Sequence, residues 1–224
     1  MNYHVDFDID LKRNPYKGKY IVVEGIDGSG KTTQVEKLKE YFEKKGKQVV
    51  IVKEPTREGE IGELIDSILQ GKIKVPSVAL QYLYSADRAV NHYKNIIPSL
   101  EKGSIIISDR CFWSSIPYGI LDRGGVDYSN TAQVILVAHG ILSMYHQFIV
   151  PDYTFYLKIS VEEATKRLHG MEKTHEIYEK REKLAKIAEG YKWLVKQFPK
   201  EFVVVDGGQP VTKVTEEIIS KLPR

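Results

Sequence analysis

The chain has 224 residues, 42% of them hydrophobic, with 33 Lys and Arg against 30 Asp and Glu. That composition excludes a disordered chain, and a net charge of +3 is too small to mark a nucleic-acid binder. The single cysteine, Cys111, rules out an intramolecular disulfide; no apolar run approaches the roughly 18 residues of a membrane span and no signal-peptide pattern opens the chain, so the expectation is a cytoplasmic protein with neither membrane nor nucleic-acid partner.

Residues 1–17 are polar without a clear period and read as an N-terminal extension before one domain, 18–224. The run Tyr20 to Glu24 predicts a strand, followed by a helix with Val35, Leu38 and Phe42 on one face, stopped at Gly46. Residues 48–52 predict a second strand, and Ile61, Leu64, Ile65 and Ile68 a second helix, ended by Gly71. Three further strands are predicted over 104–109, 153–160 and 202–206. Ser160 and Glu163 read as a capping box opening a helix over 161–169. The polar segment 168–181, punctuated by Gly170, reads as a short lid. Short, β-branched strands alternating with helices predict an α/β fold. Its core is a doubly wound, mostly parallel five-stranded sheet flanked by helices, with ligands at the carboxyl ends of the strands.

Directly after the first strand, "GIDGSGKTT" satisfies G-x-x-x-x-G-K-[ST] through Gly25, Gly30, Lys31 and Thr32. Between a strand and a helix this is a phosphate-binding P-loop. Its glycines let backbone N–H groups turn onto phosphate oxygens, Lys31 reaches the outer phosphates of ATP, and the Thr32 hydroxyl ligates Mg²⁺. Gly25, Gly28, Ser29, Gly30, Lys31, Thr32 and Thr33 are therefore the predicted ATP-binding residues. A base-reading N-K-x-D is absent from the sequence, which argues against a GTPase.

Other stretches bear on a second molecule. Asp109 and Arg110 end the third strand, where an acid holds magnesium or its waters and an arginine lies against transferring phosphates; a plain strand-end ion pair looks the same. "YSADRAVNH" puts Tyr84, Arg88 and His92 on one helix face, fit to stack on a base, or equally to pack as an amphipathic helix with Tyr84 in the core. Arg57, in "KEPTREGEIG", emerges near the strand ends where an acceptor phosphate would lie.

With these motifs in this order ("EGIDGSGKTTQ", "EPTREGEIG", "YSADRAVNH", "ISDR" and "VVVDGGQP") the chain resembles the thymidylate kinase family of P-loop nucleoside monophosphate kinases from about Tyr20 to Lys221. The resemblance implies that Asp27 hydrogen-bonds the acceptor's 3′-OH, Arg57 its phosphate, and Arg88 a thymine carbonyl. It implies that Tyr84 stacks on thymine, Tyr118 lines the nucleoside pocket, and Tyr178 in the lid crowds the 2′ position. It places the loop from Asp206 to Gln209 by the adenine of ATP, and implies Mg²⁺ and a homodimer. Four positions depart from the family pattern. Cys111 replaces a tyrosine or histidine, Gly119 a glutamine near the base, Gly28 a P-loop arginine of some members, and Ile177 a lid arginine. Lys173, Arg167 and Arg181 remain as candidate lid cations.

The implied reaction is ATP plus dTMP giving ADP plus dTDP. A phosphate monoester, with a second pKa of about 6, is ionised near neutrality, so alignment and charge compensation replace a general base. The alternatives are a kinase for dUMP or UMP, a deoxynucleoside kinase with Glu54 as its base, and, from another class, a nucleotide-dependent switch or regulatory protein without turnover.

Overall fold

Five strands build the sheet: β1 (Lys19–Glu24), β2 (Val49–Lys53), β3 (Ile105–Asp109), β4 (Tyr153–Lys158) and β5 (Val203–Asp206). They pair in the order β2-β3-β1-β4-β5, and every pairing is parallel, as a βαβ crossover pattern requires. The computed structural model describes residues 10–122, 131–169 and 181–222.

Period-two alternation sorts the strand residues onto two faces. Ile21, Val23, Ile107, Phe155 and Leu157 pack under α1 (Lys31–Lys44) and α9 (Val211–Lys221), through Val35, Leu38, Val214 and Ile218. Tyr20, Val22, Ile106 and Tyr156 face the larger core. Its cover is α2 (Gly59–Leu69), α3 (Ser77–Asn91), α4 (Ile97–Glu101), α5 (Ser115–Asp122), α6 (Thr131–Leu142) and α8 (Arg181–Gln197). A π-helical turn, His92–Ile96, joins α3 to α4. The remaining helix, α7 (Val161–His169), follows β4. Glu24 shares its strand face with Tyr20 and Val22, so parity aims a carboxylate into the larger core.

Strand β3 lies between β1 and β2 in matched register, with Asp109 opposite both Val23 and Lys53. The Glu54 N–H donates to the Asp109 carbonyl at 3.1 Å, which carries the alignment one residue past the strand. Three chain segments therefore leave the sheet at one level: the P-loop, the loop after β2 and the start of the segment after β3.

Besides one-residue shifts at the ends of β2, β3 and β5, three expectations change for identifiable physical reasons. Strand β4 stops at Lys158 rather than at 160, because Ser160 turns out of the sheet to cap α7. Its Oγ accepts the Glu163 N–H at 3.2 Å, while the Glu163 carboxylate accepts from Arg167 Nε at 3.0 Å instead of reaching back, so only half of the capping box forms. Leu64 sits at the exposed margin of α2 rather than beneath it.

Residues 10–17, the described part of the extension, are stitched to the sheet. Val150 N–H donates to the Lys12 carbonyl at 2.9 Å. Asn14 Nδ2 and the Tyr20 N–H both donate to Asp152 Oδ2 at 2.8 Å. Arg13 pairs with Glu201.

Candidate active site

The P-loop takes its shape from positive φ at Gly25 (149°), Gly28 (81°) and Gly30 (94°), a region that side chains disfavour. A Cβ on Gly28 would stand 2.5 Å from the Ala164 carbonyl oxygen, so α7 lies hard against the loop there. This gives a physical reason why no arginine stands at 28. Thr32 donates from Oγ1 to Asp109 Oδ2 at 2.6 Å, joining the P-loop helix to the end of β3. Lys31 is buried, donates from Nζ to the Ile26 carbonyl at 3.0 Å and lies 3.8 Å from Asp27. Burial and then the charge of Arg110 lower its ammonium from the ordinary lysine value. The buried Ser29 hydroxyl has no hydrogen-bond partner among the described residues, an unpaired donor in a loop of this kind.

Arg110 sits at φ 76°, a left-handed conformation costly for an arginine, and is held there by many partners. Its Nη1 donates to the Gly25 carbonyl (3.0 Å), Tyr191 Oη (3.1 Å) and Ser114 Oγ (3.3 Å), and its Nη2 to Tyr118 Oη (2.8 Å) and Asp27. Burial alone would raise the Asp27 carboxyl; Arg110 and Lys31 outweigh it and hold the group below the usual carboxylate value. Behind Arg110, the fully buried Glu24 accepts from Ser114 Oγ, Tyr191 Oη and the Cys111 N–H at 2.7, 2.7 and 2.9 Å. Burial, with Glu24 and Glu54 nearby, pushes the Cys111 thiol well up, so it packs rather than reacts.

Arg57 also adopts positive φ (59°). Asp87 of α3 fixes the residue before it, taking the Thr56 N–H at 2.9 Å and its hydroxyl at 2.5 Å. A Cβ on Gly62 would meet the Arg57 backbone at 2.8 Å, so α2 can approach that turn only through a glycine. The Arg57 guanidinium lies 3.3 Å from Asp66.

Tyr84 and Arg88 are both buried on the inward face of α3, with the guanidinium 5.7 Å from the Tyr84 ring centre. Arg88 donates from Nε to Glu54 Oε2 at 2.7 Å and from Nη1 to Ser115 Oγ at 2.5 Å; Asn91 takes the other Glu54 oxygen at 3.1 Å. With both oxygens engaged, Glu54 is a clamp for Arg88. His92 turns away from this site into the core, where it stacks on Phe148.

Two cavities open here. The larger, about 960 Å³, is lined by Gly28 through Gln34, Asp109, the α7 residues Glu163, Lys166, Arg167 and Leu168, and Gly207 to Val211. The narrower, about 60 Å³, is lined by Leu69, Tyr84, Arg88, Ser114, Ser115 and Tyr118. Asp27, Glu54, Pro55, Arg57 and Arg110 line both, so the cavities meet where two arginines stand among two carboxylates.

Most of the residues read from the sequence line one or the other of these cavities, and Asp27, Arg57 and Arg110 line both. Gly25 and Asp206 act from outside the cavity wall: the Gly25 carbonyl holds Arg110, and Asp206 accepts the Gly208 N–H at 2.9 Å, shaping the loop whose next residues line the larger cavity. Tyr178 and Lys173 lie outside the described residues. Arg181 pairs with exposed Glu162, whereas Arg167 lines the larger cavity, its guanidinium 3.8 Å from where a Gly30 Cβ would stand. A Cβ at Gly119 would meet Ile141 at 2.6 Å and the Gln81 carboxamide at 3.2 Å, so a neighbouring helix already fills that position. Sequence reasoning missed Glu24, Asp87, Ser114, Ser115, Tyr145 and Tyr191. A carboxylate closing an otherwise apolar strand was the one visible signal among them.

The thymidylate kinase family profile matches residues 23–218. A thymidylate kinase of Thermoanaerobacter sp. is 38% identical over 205 residues, covering 91% of this chain and 96% of that protein. A probable thymidylate kinase of Thermococcus onnurineus is 34% identical over 210 residues, covering 90% and 95%. The solved thymidylate kinase of Candida albicans superposes with a TM-score of 0.78 at 27% identity, covering 91% of this chain and 90% of that one.

Proposed function

Since the chain belongs to the thymidylate kinase family, we propose that its two joined cavities receive ATP and dTMP and that the γ-phosphate passes between them at Arg110. The protein is an ATP-dependent nucleoside monophosphate kinase making dTDP and ADP. The observation that carries the residue assignment is the shared lining: one cavity ends in a P-loop, the other in an aromatic and an arginine, and Asp27, Arg57 and Arg110 stand where they join.

In this reading the P-loop backbone from Gly28 to Thr33 and Lys31 hold the triphosphate, Ser29 offers its unpaired hydroxyl, and Gly207 to Pro210 flank the adenine. Tyr84 stacks on the thymine and Arg88 donates to its carbonyl. Arg57 orients the acceptor phosphate, Asp27 the sugar hydroxyl, and Tyr118 closes the nucleoside wall. Arg110 lies between the two phosphates and compensates the charge that spreads over the transferring group. No base is needed for an ionised phosphate oxygen, which agrees with the engagement of Glu54. Arg167 is the described lid-side cation best placed to add charge.

Thr32 and Asp109 supply a hydroxyl and a carboxylate side by side, hard oxygens that suit Mg²⁺ completed by phosphate and water. No cluster of three or more His, Cys, Asp or Glu that could hold a metal occurs among the described residues, so these residues offer no all-protein cage. When bound there, Mg²⁺ would neutralise charge on the outer phosphates.

A homodimer is part of the proposal. Val78, Tyr82 and Val90 form an exposed apolar stripe on α3, continued by Tyr93, and Leu136 on α6 is exposed as well. So is a cytoplasmic site, supported by the free cysteine; no helix among the described residues is long and apolar enough to cross a membrane. The test is ADP production with ATP and Mg²⁺ against dTMP, dUMP, UMP, dCMP and thymidine. Preference for dTMP is expected; preference for thymidine would overturn the acceptor assignment.

A further inference from the structure

Tyr145, just beyond α6, is buried, and its hydroxyl is shared by three groups, two of which line the narrower cavity. It lies 2.9 Å from Ser115 Oγ, 2.8 Å from Ser85 Oγ and 3.3 Å from Arg88 Nη1. Ser115 and Arg88 line the narrower cavity beside Tyr84.

Counting protons gives this group a direction. Arg88 Nη1 can only donate, so Ser115 Oγ and Tyr145 Oη both accept from it. Each hydroxyl then has one proton, and a proton aimed back at the guanidinium is disfavoured. Ser85 spends its own on the Gln81 carbonyl at 2.9 Å, with Met144 Sδ the weaker alternative at 3.4 Å. Tyr145 therefore donates to Ser85, and Ser115 donates to Tyr145. The chain runs from Arg88 through Ser115, Tyr145 and Ser85 to a backbone carbonyl, every dipole pointing away from the cation and each bond polarising the next.

We propose that Tyr145 is a specificity-determining residue that, by drawing off the Ser115 proton, makes Ser115 present a lone pair to the acceptor base. Arg88 keeps Nη2 for the same cavity, since its Nε and Nη1 are engaged and Nη2 has no hydrogen bond among the described residues. An acceptor beside a donor matches a ring N–H beside a carbonyl, the edge of a 4-keto pyrimidine. Cytosine shows the reverse, a bare ring nitrogen beside an amino group, and meets like against like on both bonds. The device selects 4-keto over 4-amino pyrimidines and is indifferent to the 5-methyl group. Tyr145 acts through Ser115 and touches no reacting atom.

The inference rests on the dTMP reading. Its test compares kcat/KM for dTMP and dCMP in the parent, Tyr145→Phe, Ser85→Ala and Ser115→Ala, with and without Tyr145→Phe in the last. Releasing the Ser115 proton in Tyr145→Phe should narrow the dTMP-over-dCMP ratio by about tenfold, through a raised KM for dTMP and little change in KM for ATP. Ser85→Ala, a small change at the far end of the chain, should narrow it in the same direction. In the Ser115→Ala background Tyr145→Phe should leave the ratio alone, since it has no hydroxyl left to orient. An unchanged ratio in both Tyr145→Phe and Ser85→Ala overturns the inference, as does an undiminished effect of Tyr145→Phe in Ser115→Ala. A parent inactive on dTMP would instead overturn the acceptor reading itself.

Discussion

Replacing His92 by glutamine should remove one proton-linked loss of stability in mild acid. Its Nε2 accepts the Ile149 N–H at 3.1 Å, which fixes the ring proton on Nδ1 and leaves the neutral form as the one that fits. Burial, and then the charge of Lys12, pushes its pKa from 6.5 down to about 4. The unfolded chain therefore takes up the proton first as pH falls. The stability that neutral His92 contributes is complete above the unfolded pKa and is lost on the way from 6.5 toward 4. Integrating that single site gives about 2 kcal/mol lost between about pH 7.5 and about pH 5. Glutamine can accept the same N–H through its amide oxygen without titrating. Urea unfolding of both proteins at fixed concentration and several pH values isolates the term, because other titrations cancel in the difference. The parent should lose about 2 kcal/mol more than His92→Gln over that interval. Stability curves that stay parallel to within about 0.5 kcal/mol would refute the account of His92 as a neutral core acceptor.

Arg110→Ala should lower kcat by roughly 10³–10⁵ with the fold intact, read by steady-state ADP release and a thermal melt; turnover within a few-fold of the parent would remove Arg110 from the reaction. Arg57→Ala should raise the KM for dTMP far more than that for ATP, and equal rises would deny it an acceptor role. Arg88→Met leaves the Glu54 carboxylate buried without its cation and should cost about 3–5 kcal/mol in denaturant, much of it recovered by adding Glu54→Gln. If Glu54→Gln alone abolished turnover on dTMP while leaving stability and KM unchanged, a proton-abstracting role for Glu54 would return.

What could be read from the sequence was local. The P-loop is nine consecutive residues, the strands announce themselves by β-branched runs, and the spacing of Tyr84 and Arg88 puts them on one face of a helix. What could not be read was set by distant pairings. Glu24 meets Tyr191 across 167 positions, Arg110 meets Asp27 across 83 and Arg88 meets Tyr145 across 57. No local pattern distinguishes a tyrosine that reaches such a partner from one that fills core volume. Arg57 and Asp109 were legible as strand-end residues, but that Asp87 anchors the Arg57 turn depends on how α3 docks. The departures at Gly28 and Gly119 acquire reasons only when the neighbours crowding them are seen.

The matched register of β3 against both of its neighbours sets a length as well as an orientation. Strands β1 and β2 never touch; β3 separates them, so the two loops they feed start about 9–10 Å apart, two interstrand spacings. On the proposed function, a donor anchored after one strand and an acceptor anchored after the other begin at a fixed gap, and Arg110 grows from the spacer itself. The sheet works as a gauge block. Lengthening either loop would change which molecules fit, but the gap to be bridged stays with the hydrogen bonds of the sheet. A one-residue slip of β3 would turn Asp109 to the opposite face and part it from Thr32.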